Sequence, residues 1–185
     1  METNHWFHGT PHDFDAFDPA TLGKGTDQLG SGFYFTSEES TAGGYAEGGY
    51  VMVVALSLEK PMPADARFTR GQIEAILRAA PSFEESIGNW GEIAFEGERT
   101  VVGRAVNAYA EMGEGSDDAV QVLNAISNDM WQGHEAAFLR AVNEVTGYDG
   151  LIRKSGQETH AVAWLPERIS VVERRARQPV AARGM

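Results

Sequence analysis

The sequence predicts an α+β fold in which strands from both ends of the chain share one sheet. Residues 1–62 are rich in strand patterns, residues 68–146 carry helical patterns, and the remaining residues return to strand patterns. Strands, then helices, then strands is an order typical of an α+β domain. With 185 residues and 42% hydrophobic content, the chain is long enough to bury the core of one such domain. The helical part is then predicted to be an insertion against one side of the sheet.

Three strands are predicted in the first part of the chain. The segment HWFHGT, residues 5–10, predicts a short first strand. The segment GSGFYFT, residues 30–36, places two glycines before an aromatic run, which predicts a turn, a strand and then a helix starting near Ser37. The segment YVMVVALSL, residues 50–58, is an almost continuous apolar run, as expected of a buried strand, and Pro61 and Pro63 are predicted to end it.

Four helices are predicted in the middle part. Thr69 can act as the N-cap of the first, the second lies around residues 100–112, and Ser116 can cap the third. The fourth spans about residues 134–145, and Gly147 suits the left-handed position past its end. Each has apolar residues at helical spacing: Ile73, Ile76, Leu77 and Ala80 in the first; Val102, Val106 and Tyr109 in the second; Val120, Leu123 and Met130 in the third; and Phe138, Ala141, Val142 and Val145 in the fourth.

Three further strands are predicted after the helices. The segment YDGLIR, residues 148–153, predicts a turn followed by a short strand, with Asp149 as a turn residue. The segments THAVAWL, residues 159–165, and RISVVERR, residues 168–175, are the other two. We expect one domain over residues 1–176 and a flexible basic tail over residues 177–185.

Composition excludes several classes of protein. The chain has no cysteine, which excludes disulfides and thiolate metal sites and fits a cytoplasmic location. The net charge of −12 disfavours general binding to nucleic acid, because such a field repels phosphates. No apolar run of about 18 residues and no secretory signal is visible, so we expect no membrane partner.

No common nucleotide or metal motif is present. Residues 23–25 and 30–32 are glycine-rich, but neither segment extends to GxGxxG or to the phosphate loop GxxxxGK[ST]. Glycine and proline between His5, His8 and His12 prevent a helix from presenting the three imidazoles on one face. We therefore expect no metal cofactor. Taken singly, each aromatic or histidine in these segments is explained equally well by packing.

Three motifs nevertheless occur together and in order. The first is WFHGT, residues 6–10, and the second is GSGFYF, residues 30–35, followed by Tyr45 eleven residues after Tyr34. The third is ETHAVAWLPERI, residues 158–169. With these motifs the chain resembles the diphtheria-toxin and poly(ADP-ribose) polymerase branch of the ADP-ribosyltransferases, and more closely its small prokaryotic and phage-encoded members. The resemblance covers about 60 residues at the start and about 40 at the end. It implies the split antiparallel β core of that superfamily with a helical insertion.

The resemblance also implies an activity. A member of this branch cleaves the bond between nicotinamide and ribose in NAD, through an oxocarbenium-like transition state, and transfers ADP-ribose to an acceptor. We expect a mono-ADP-ribosyltransferase, a kind of glycosyltransferase, whose acceptor is a protein rather than nucleic acid because the chain is acidic. The sequence leaves open an NAD glycohydrolase, and also an inactive module that binds NAD or a partner as a phage-type inhibitor. It also leaves open a role as a toxin or an anti-defence effector.

The same resemblance assigns roles in binding NAD. His8 would hydrogen-bond the adenosine-side ribose, the backbone of Gly9 would pair with the nicotinamide amide, and Thr10 would bond a ribose hydroxyl or the amide. Tyr34 and Tyr45 would sandwich the nicotinamide ring. Glycines before Tyr34 would let the chain turn close to the dinucleotide. The residues expected to bind NAD are His8, Gly9, Thr10, Gly32, Tyr34 and Tyr45.

Two positions depart from the family pattern. Ala42 stands where the family often has a serine that helps hold the amide, and His160 stands where it usually has the third catalytic residue, a glutamate. Glu158 lies two residues before His160, and side chains at i and i+2 of a strand point to the same face. Either Glu158 acts as the usual glutamate with His160 assisting, or His160 holds the position and activity is altered or lost. The expected catalytic residues are His8, Tyr34, Glu158 and His160.

Overall fold

One seven-stranded sheet holds both ends of the described chain. The computed structural model describes residues 5–22, 30–80, 101–115, 117–129 and 133–177. The strands are Trp6–Thr10 (β1), Phe33–Thr36 (β2), Tyr50–Leu56 (β3), Pro61–Met62 (β4), Gly150–Ser155 (β5), Glu158–Ala163 (β6) and Ile169–Ala176 (β7). The helices within these residues are Glu39–Tyr45 (α1), Arg70–Ala79 (α2), Val101–Glu114 (α3), Ala119–Asp129 (α4) and Glu135–Thr146 (α5). The predicted α+β class is therefore confirmed.

The sheet is mostly antiparallel and has the order β4-β5-β6-β2-β1-β3-β7. Only β4 and β5 are parallel among the described pairs. The predicted end of the third strand is wrong in one respect, since β3 ends at Leu56 and Pro61 begins the short strand β4. A proline is tolerated there because β4 is an edge strand, which does not need every backbone N–H.

The two halves of the sheet diverge at β1. This strand pairs with β3 at each of its five residues, but its pairing with β2 consists of Phe7 opposite Thr36. Beyond that pair, the continuing part of β1 lies opposite the early part of β2 without a ladder between them. The divergence opens a space between two central strands, and the candidate site lies there.

The buried strand β3 is covered on both faces. Val51 packs with Ala42 of α1, with Ala46 directly after that helix and with Phe7, whereas Met52 belongs to the main core. Residues 51–54 are at most 1% exposed. Coverage on both faces explains why the sequence of β3 is continuously apolar rather than alternating.

The helical block begins and ends as its sequence predicts. Thr69 caps α2 through a capping box with Gln72, and Gly147 ends α5 with φ of 75°. Helix α2 contacts α3 and α5, and α3 contacts α4. The apolar side of the block joins the sheet in one core, in which Leu151 and Val162 are at most 1% exposed.

The start of α4 differs from the prediction. Asp118 and Gln121 form reciprocal hydrogen bonds, since the Asp118 N–H donates to Gln121 Oε1 at 2.8 Å and the Gln121 N–H donates to Asp118 Oδ1 at 3.0 Å. This pair is a capping box two residues after the predicted cap. Ser116, the predicted cap, and Met130, predicted to lie inward on this helix, are outside the described residues.

Asp149 is more than a turn residue. It is 0% exposed, and its carboxylate accepts hydrogen bonds from the backbone N–H of Glu59 at 2.7 Å and of Lys60 at 3.1 Å. Arg168 Nε lies 3.2 Å from the same carboxylate. Asp149 therefore ties the turn before β5 to the chain after β3 and to the segment before β7.

The end of the predicted domain is joined to the sheet. The backbone N–H of Arg177 donates to the carbonyl of Gly49 at 2.7 Å. Residues 178–185, most of the predicted basic tail, lie outside the described residues. None of the described helices has the length and apolar character needed to cross a membrane.

Candidate functional site

An open cleft of about 540 Å³ lies where β1 and β2 diverge. His8 and Thr10 of β1 line it together with Gly32, directly before β2, and Tyr34 of β2. The segment after β1 supplies its remaining wall, which includes Phe14, Phe17 and Asp18. Its volume is within the range of about 300–1,000 Å³ that is typical of small-molecule sites.

His8 bridges the gap between the diverging strands. Its Nδ1 lies 2.8 Å from the backbone carbonyl oxygen of Tyr34. Because a carbonyl oxygen only accepts, Nδ1 carries the proton and donates. The side chain thus makes across the cleft the kind of bond that a backbone ladder would otherwise make.

The protonation of His8 suits it to accept a hydrogen bond. Burial lowers the pKa of His8, and the hydrogen bond to the Tyr34 carbonyl opposes this shift less strongly. The neutral ring, with its proton on Nδ1, has a lone pair on Nε2. The rings of Phe17 and Phe35 lie 5.1 and 5.8 Å from the imidazole, centroid to centroid, and fix its orientation. A ribose hydroxyl is a suitable donor to Nε2.

Thr10 is buried beside His8. Its Oγ1 accepts a hydrogen bond from the backbone N–H of His12 at 3.1 Å. A hydroxyl keeps its own proton when it accepts, so Thr10 can still donate to a ligand in the cleft.

Tyr34 is tied to the glycine-rich turn before β2. Its hydroxyl donates to the carbonyl of Gly30 at 2.5 Å. Gly30 has φ of 89°, a left-handed conformation that favours glycine. A Cβ on Gly32 would lie 2.2 Å from Val162 Cγ1. The two glycines therefore have packing reasons within the fold, in addition to the position of Gly32 on the cleft.

Gly9 is required by the close approach of helix α1. A Cβ at this position would lie 1.8 Å from the carbonyl oxygen of Ala42 and 3.0 Å from the backbone nitrogen of Ala46. Ala42 is 1% exposed, and its backbone carbonyl makes this contact. The structure thus gives the glycine of the His-Gly-Thr motif a reason that sequence reasoning missed.

Tyr45 is the last residue of α1 and is 72% exposed. It is one of the few large apolar side chains that the described surface exposes to this extent. An exposed aromatic ring can stack against a planar ligand. The sandwich of nicotinamide between Tyr34 and Tyr45 stays a prediction.

Glu158 and His160 lie side by side at the start of β6. Glu158 Oε2 is 3.4 Å from His160 Nε2, and the two side chains are 30% and 32% exposed. The hydroxyl of Thr41 on α1 donates to Glu158 Oε1. His160 pairs with Thr36 of β2, two residues beyond Tyr34. The expectation that Glu158 and His160 share a face is therefore confirmed, and α1 contributes a third group.

Comparison with protein families identifies the chain. The model of a family described as the ADP-ribosyltransferase in polyvalent proteins matches residues 3–176. The chain belongs to this family. The match confirms the resemblance to the ADP-ribosyltransferase superfamily and agrees with the observed sheet. No curated protein and no solved structure gives a significant match.

An ADP-ribosyltransferase uses NAD as its donor of ADP-ribose, and most of the predicted site residues of this chain lie in two groups. The cleft gathers His8, Thr10, Gly32 and Tyr34. Glu158 and His160 form the second group with helix α1. The first group offers hydrogen bonds and an aromatic wall, and the second offers a carboxylate next to an imidazole.

Sequence reasoning missed Thr41 and the aromatic wall of the cleft. Thr41 lies four residues before Tyr45, so the two share a face of α1, a spacing that could have drawn attention to it. Phe14 and Phe17 follow no strand or helix period in the sequence. Their edge-to-face contact, with ring centroids 5.0 Å apart, depends on a loop whose path the pattern does not predict.

Proposed function

We propose that this protein is a mono-ADP-ribosyltransferase that transfers ADP-ribose from NAD to a protein acceptor. The observation that carries the proposal is the Glu158 carboxylate held beside His160 on β6, next to the helix that carries Tyr45. The family match supports the general activity. The acidic chain, with a net charge of −12, favours a protein acceptor over nucleic acid.

The cleft supplies a place for the adenosine half of NAD. His8 Nε2 accepts a hydrogen bond from a hydroxyl of the adenosine-side ribose, and the Thr10 hydroxyl donates to a ribose oxygen or to the amide. The backbone of Gly9, which lies beyond the one pair that joins β1 to β2, would pair with the nicotinamide amide. Tyr34 and Tyr45 stack on the two faces of the nicotinamide ring.

The carboxylate of Glu158 favours cleavage of the glycosidic bond. The electron pair of the bond between C1′ and the pyridinium nitrogen leaves with neutral nicotinamide, and positive charge develops on the ribose. A fixed negative charge near the ribose stabilises that transition state. A lone pair of the acceptor then attacks C1′, and the acceptor's proton passes to Glu158. His160, whose Nε2 lies 3.4 Å from the carboxylate, assists by keeping that carboxylate in place.

An NAD glycohydrolase is the second candidate. The side chains of Glu158 and His160 are 30% and 32% exposed, so water can reach the carboxylate without a large change in the fold. Water would then replace the protein nucleophile in the second step.

The test follows both products of NAD cleavage. The purified protein is incubated in a cell lysate with NAD labelled on its adenine side, and free nicotinamide and labelled macromolecules are measured together. We expect nicotinamide and a labelled protein band. Nicotinamide without label on any macromolecule would select the glycohydrolase. Neither product, with NAD bound, would reject both enzymes and favour the inactive module.

Matched variants test the assignment of the carboxylate. We expect Glu158→Gln to slow nicotinamide release about 100-fold or more, as removal of one electrostatic stabiliser does in other enzymes. Glu144→Gln removes an exposed carboxylate on α5 and is the control, with no expected change. An active Glu158→Gln with an inactive His160→Gln would assign the third catalytic position to His160. Full activity in both, and in Tyr34→Ala, would reject the assigned site.

A further inference from the structure

We infer that Thr41 positions the catalytic carboxylate by holding Glu158 from helix α1. The inference rests on the proposed function and adds a residue that neither the sequence motifs nor the family match assigns. The hydroxyl of Thr41 donates to Glu158 Oε1, and His160 Nε2 lies 3.4 Å from Glu158 Oε2. The carboxylate thus accepts a hydrogen bond from α1 at one oxygen and lies beside an imidazole of its own strand at the other.

Two holding points restrict the carboxylate more than the strand alone does. Glu158 and His160 lie on the same strand, so their contact leaves the glutamate free to turn about its own side-chain bonds. A donor from α1 removes much of that freedom, because it fixes one oxygen relative to a second element. Each carboxylate oxygen has two lone-pair sites, so both can still accept from a ribose hydroxyl.

Helix α1 is itself fixed against the sheet. Ala42, the residue after Thr41, is 1% exposed, and its carbonyl oxygen packs on Gly9 of β1. Ala46 is 0% exposed in the same contact and packs with Val51. The backbone that carries the Thr41 hydroxyl therefore has little room to shift relative to β1. A rigid support of this kind is what a precisely placed catalytic group requires.

The same helix face carries the exposed ring. Thr41 and Tyr45 are four residues apart, so their side chains are neighbours on α1. Thr41 thereby connects the position of the carboxylate to the position of the ring expected to stack on nicotinamide. Its role is to keep the charge at the ribose while the ring holds the base.

Two pairs of variants isolate the hydroxyl. The first pair is the wild type and Thr41→Val, in which a methyl group replaces the hydroxyl. The second pair is Thr41→Ser and Thr41→Ala, which differ by the hydroxyl alone. Rates of nicotinamide release are measured over a range of NAD concentrations to separate kcat from KM, and thermal unfolding is measured for each variant. Each pair tests the hydroxyl. If a variant of one pair does not fold, the other pair still tests the role of the hydroxyl.

We expect loss of the hydroxyl to lower kcat about 10- to 100-fold in both pairs, as expected for a hydrogen bond to a charged group. We expect KM to stay within about twofold and Thr41→Ser to keep most of the wild-type rate. Equal kcat within either pair, in variants that unfold at the wild-type temperature, would overturn the positioning role. A loss that appears only in KM would also overturn it.

The outcome separates this inference from the proposed function. An active wild-type protein whose pairs have equal kcat would refute the role of Thr41 alone. A wild-type protein that releases no nicotinamide would refute the proposed function, and the role of Thr41 with it. In the Glu158→Gln background we expect Thr41→Val to cause no further loss, because the hydroxyl acts through the carboxylate. A further loss of the full size there would show that Thr41 acts on something else.

Discussion

Replacing Gly9 with alanine should displace helix α1. The new Cβ would lie 1.8 Å from the carbonyl oxygen of Ala42, where a C···O contact of ordinary length is about 3.3 Å. Helix α1 would have to move by about 1.5 Å, and the obstacle is backbone rather than a flexible side chain. Overpacking of this kind costs about 1–3 kcal/mol, and the backbone clash favours the upper end. For a domain of this size, a cost of about 3 kcal/mol lowers the melting temperature by about 6–12 °C.

A matched control lies within α1 itself. A Cβ on Gly44 would meet no heavy atom within 4 Å, so Gly44→Ala gains helix propensity without a clash. We expect it to add about 0.5–1 kcal/mol to the free energy of unfolding. Thermal unfolding followed by circular dichroism measures both variants, and nicotinamide release should fall in Gly9→Ala alone. A Gly9→Ala variant as stable as the wild type would refute the packing of α1 on Gly9. Equal losses of stability in Gly9→Ala and Gly44→Ala would show that the effect is not specific to the contact at Gly9.

Three further predictions concern stability. Because burial lowers the pKa of His8, the unfolded chain takes up a proton there near pH 6.5, before the folded chain does. The free energy of unfolding, measured in urea, should therefore fall as the pH drops below about 6.5, and this fall should be smaller in His8→Gln. Asp149→Asn leaves Arg168 without its buried carboxylate and should cost about 2–4 kcal/mol, seen as an earlier urea midpoint; an unchanged midpoint would contradict this. Burial and the Asp129 carboxylate raise the pKa of Tyr109, so stability should decline above about pH 10, and Tyr109→Phe should flatten that decline.

The sequence predicts a helix or strand well where burial alone explains the pattern of apolar residues. The apolar run of β3 and the stripe on α2 each follow from burial, and the structure confirms both. The strand β4 was not predicted, because its two residues carry no pattern and pair only through β5, which lies about 90 residues later in the chain. Asp149 looked like a turn residue because its aspartate precedes glycine, whereas its burial depends on the distant residues Glu59 and Arg168.

The candidate site was predictable where its residues are close in the sequence and not where they meet only in the folded chain. The spacing between Tyr34 and Tyr45 is local, and the resemblance could place both. The contact of Thr41 with Glu158 joins residues 117 positions apart in the chain, and no local pattern predicts it. The need for glycine at position 9 also arises from a neighbour in space, because the carbonyl of Ala42 occupies the volume that a side chain would take.

The two departures from the family pattern are connected through helix α1. Ala42, where the family pattern often has a serine, presents its backbone carbonyl to Gly9, and its buried side chain belongs to the cluster with Val51 and Phe7. Successive residues of a helix are about 100° apart around its axis, so the hydroxyl of Thr41, one residue earlier, points in another direction, toward β6. There it meets the carboxylate of Glu158. Glu158 lies two residues before the position at which the resemblance expects the glutamate, so we expect its carboxylate to need a support to reach the ribose. The hydroxyl of Thr41 donates to this carboxylate, an observation that supports the proposal of Glu158 as the catalytic carboxylate.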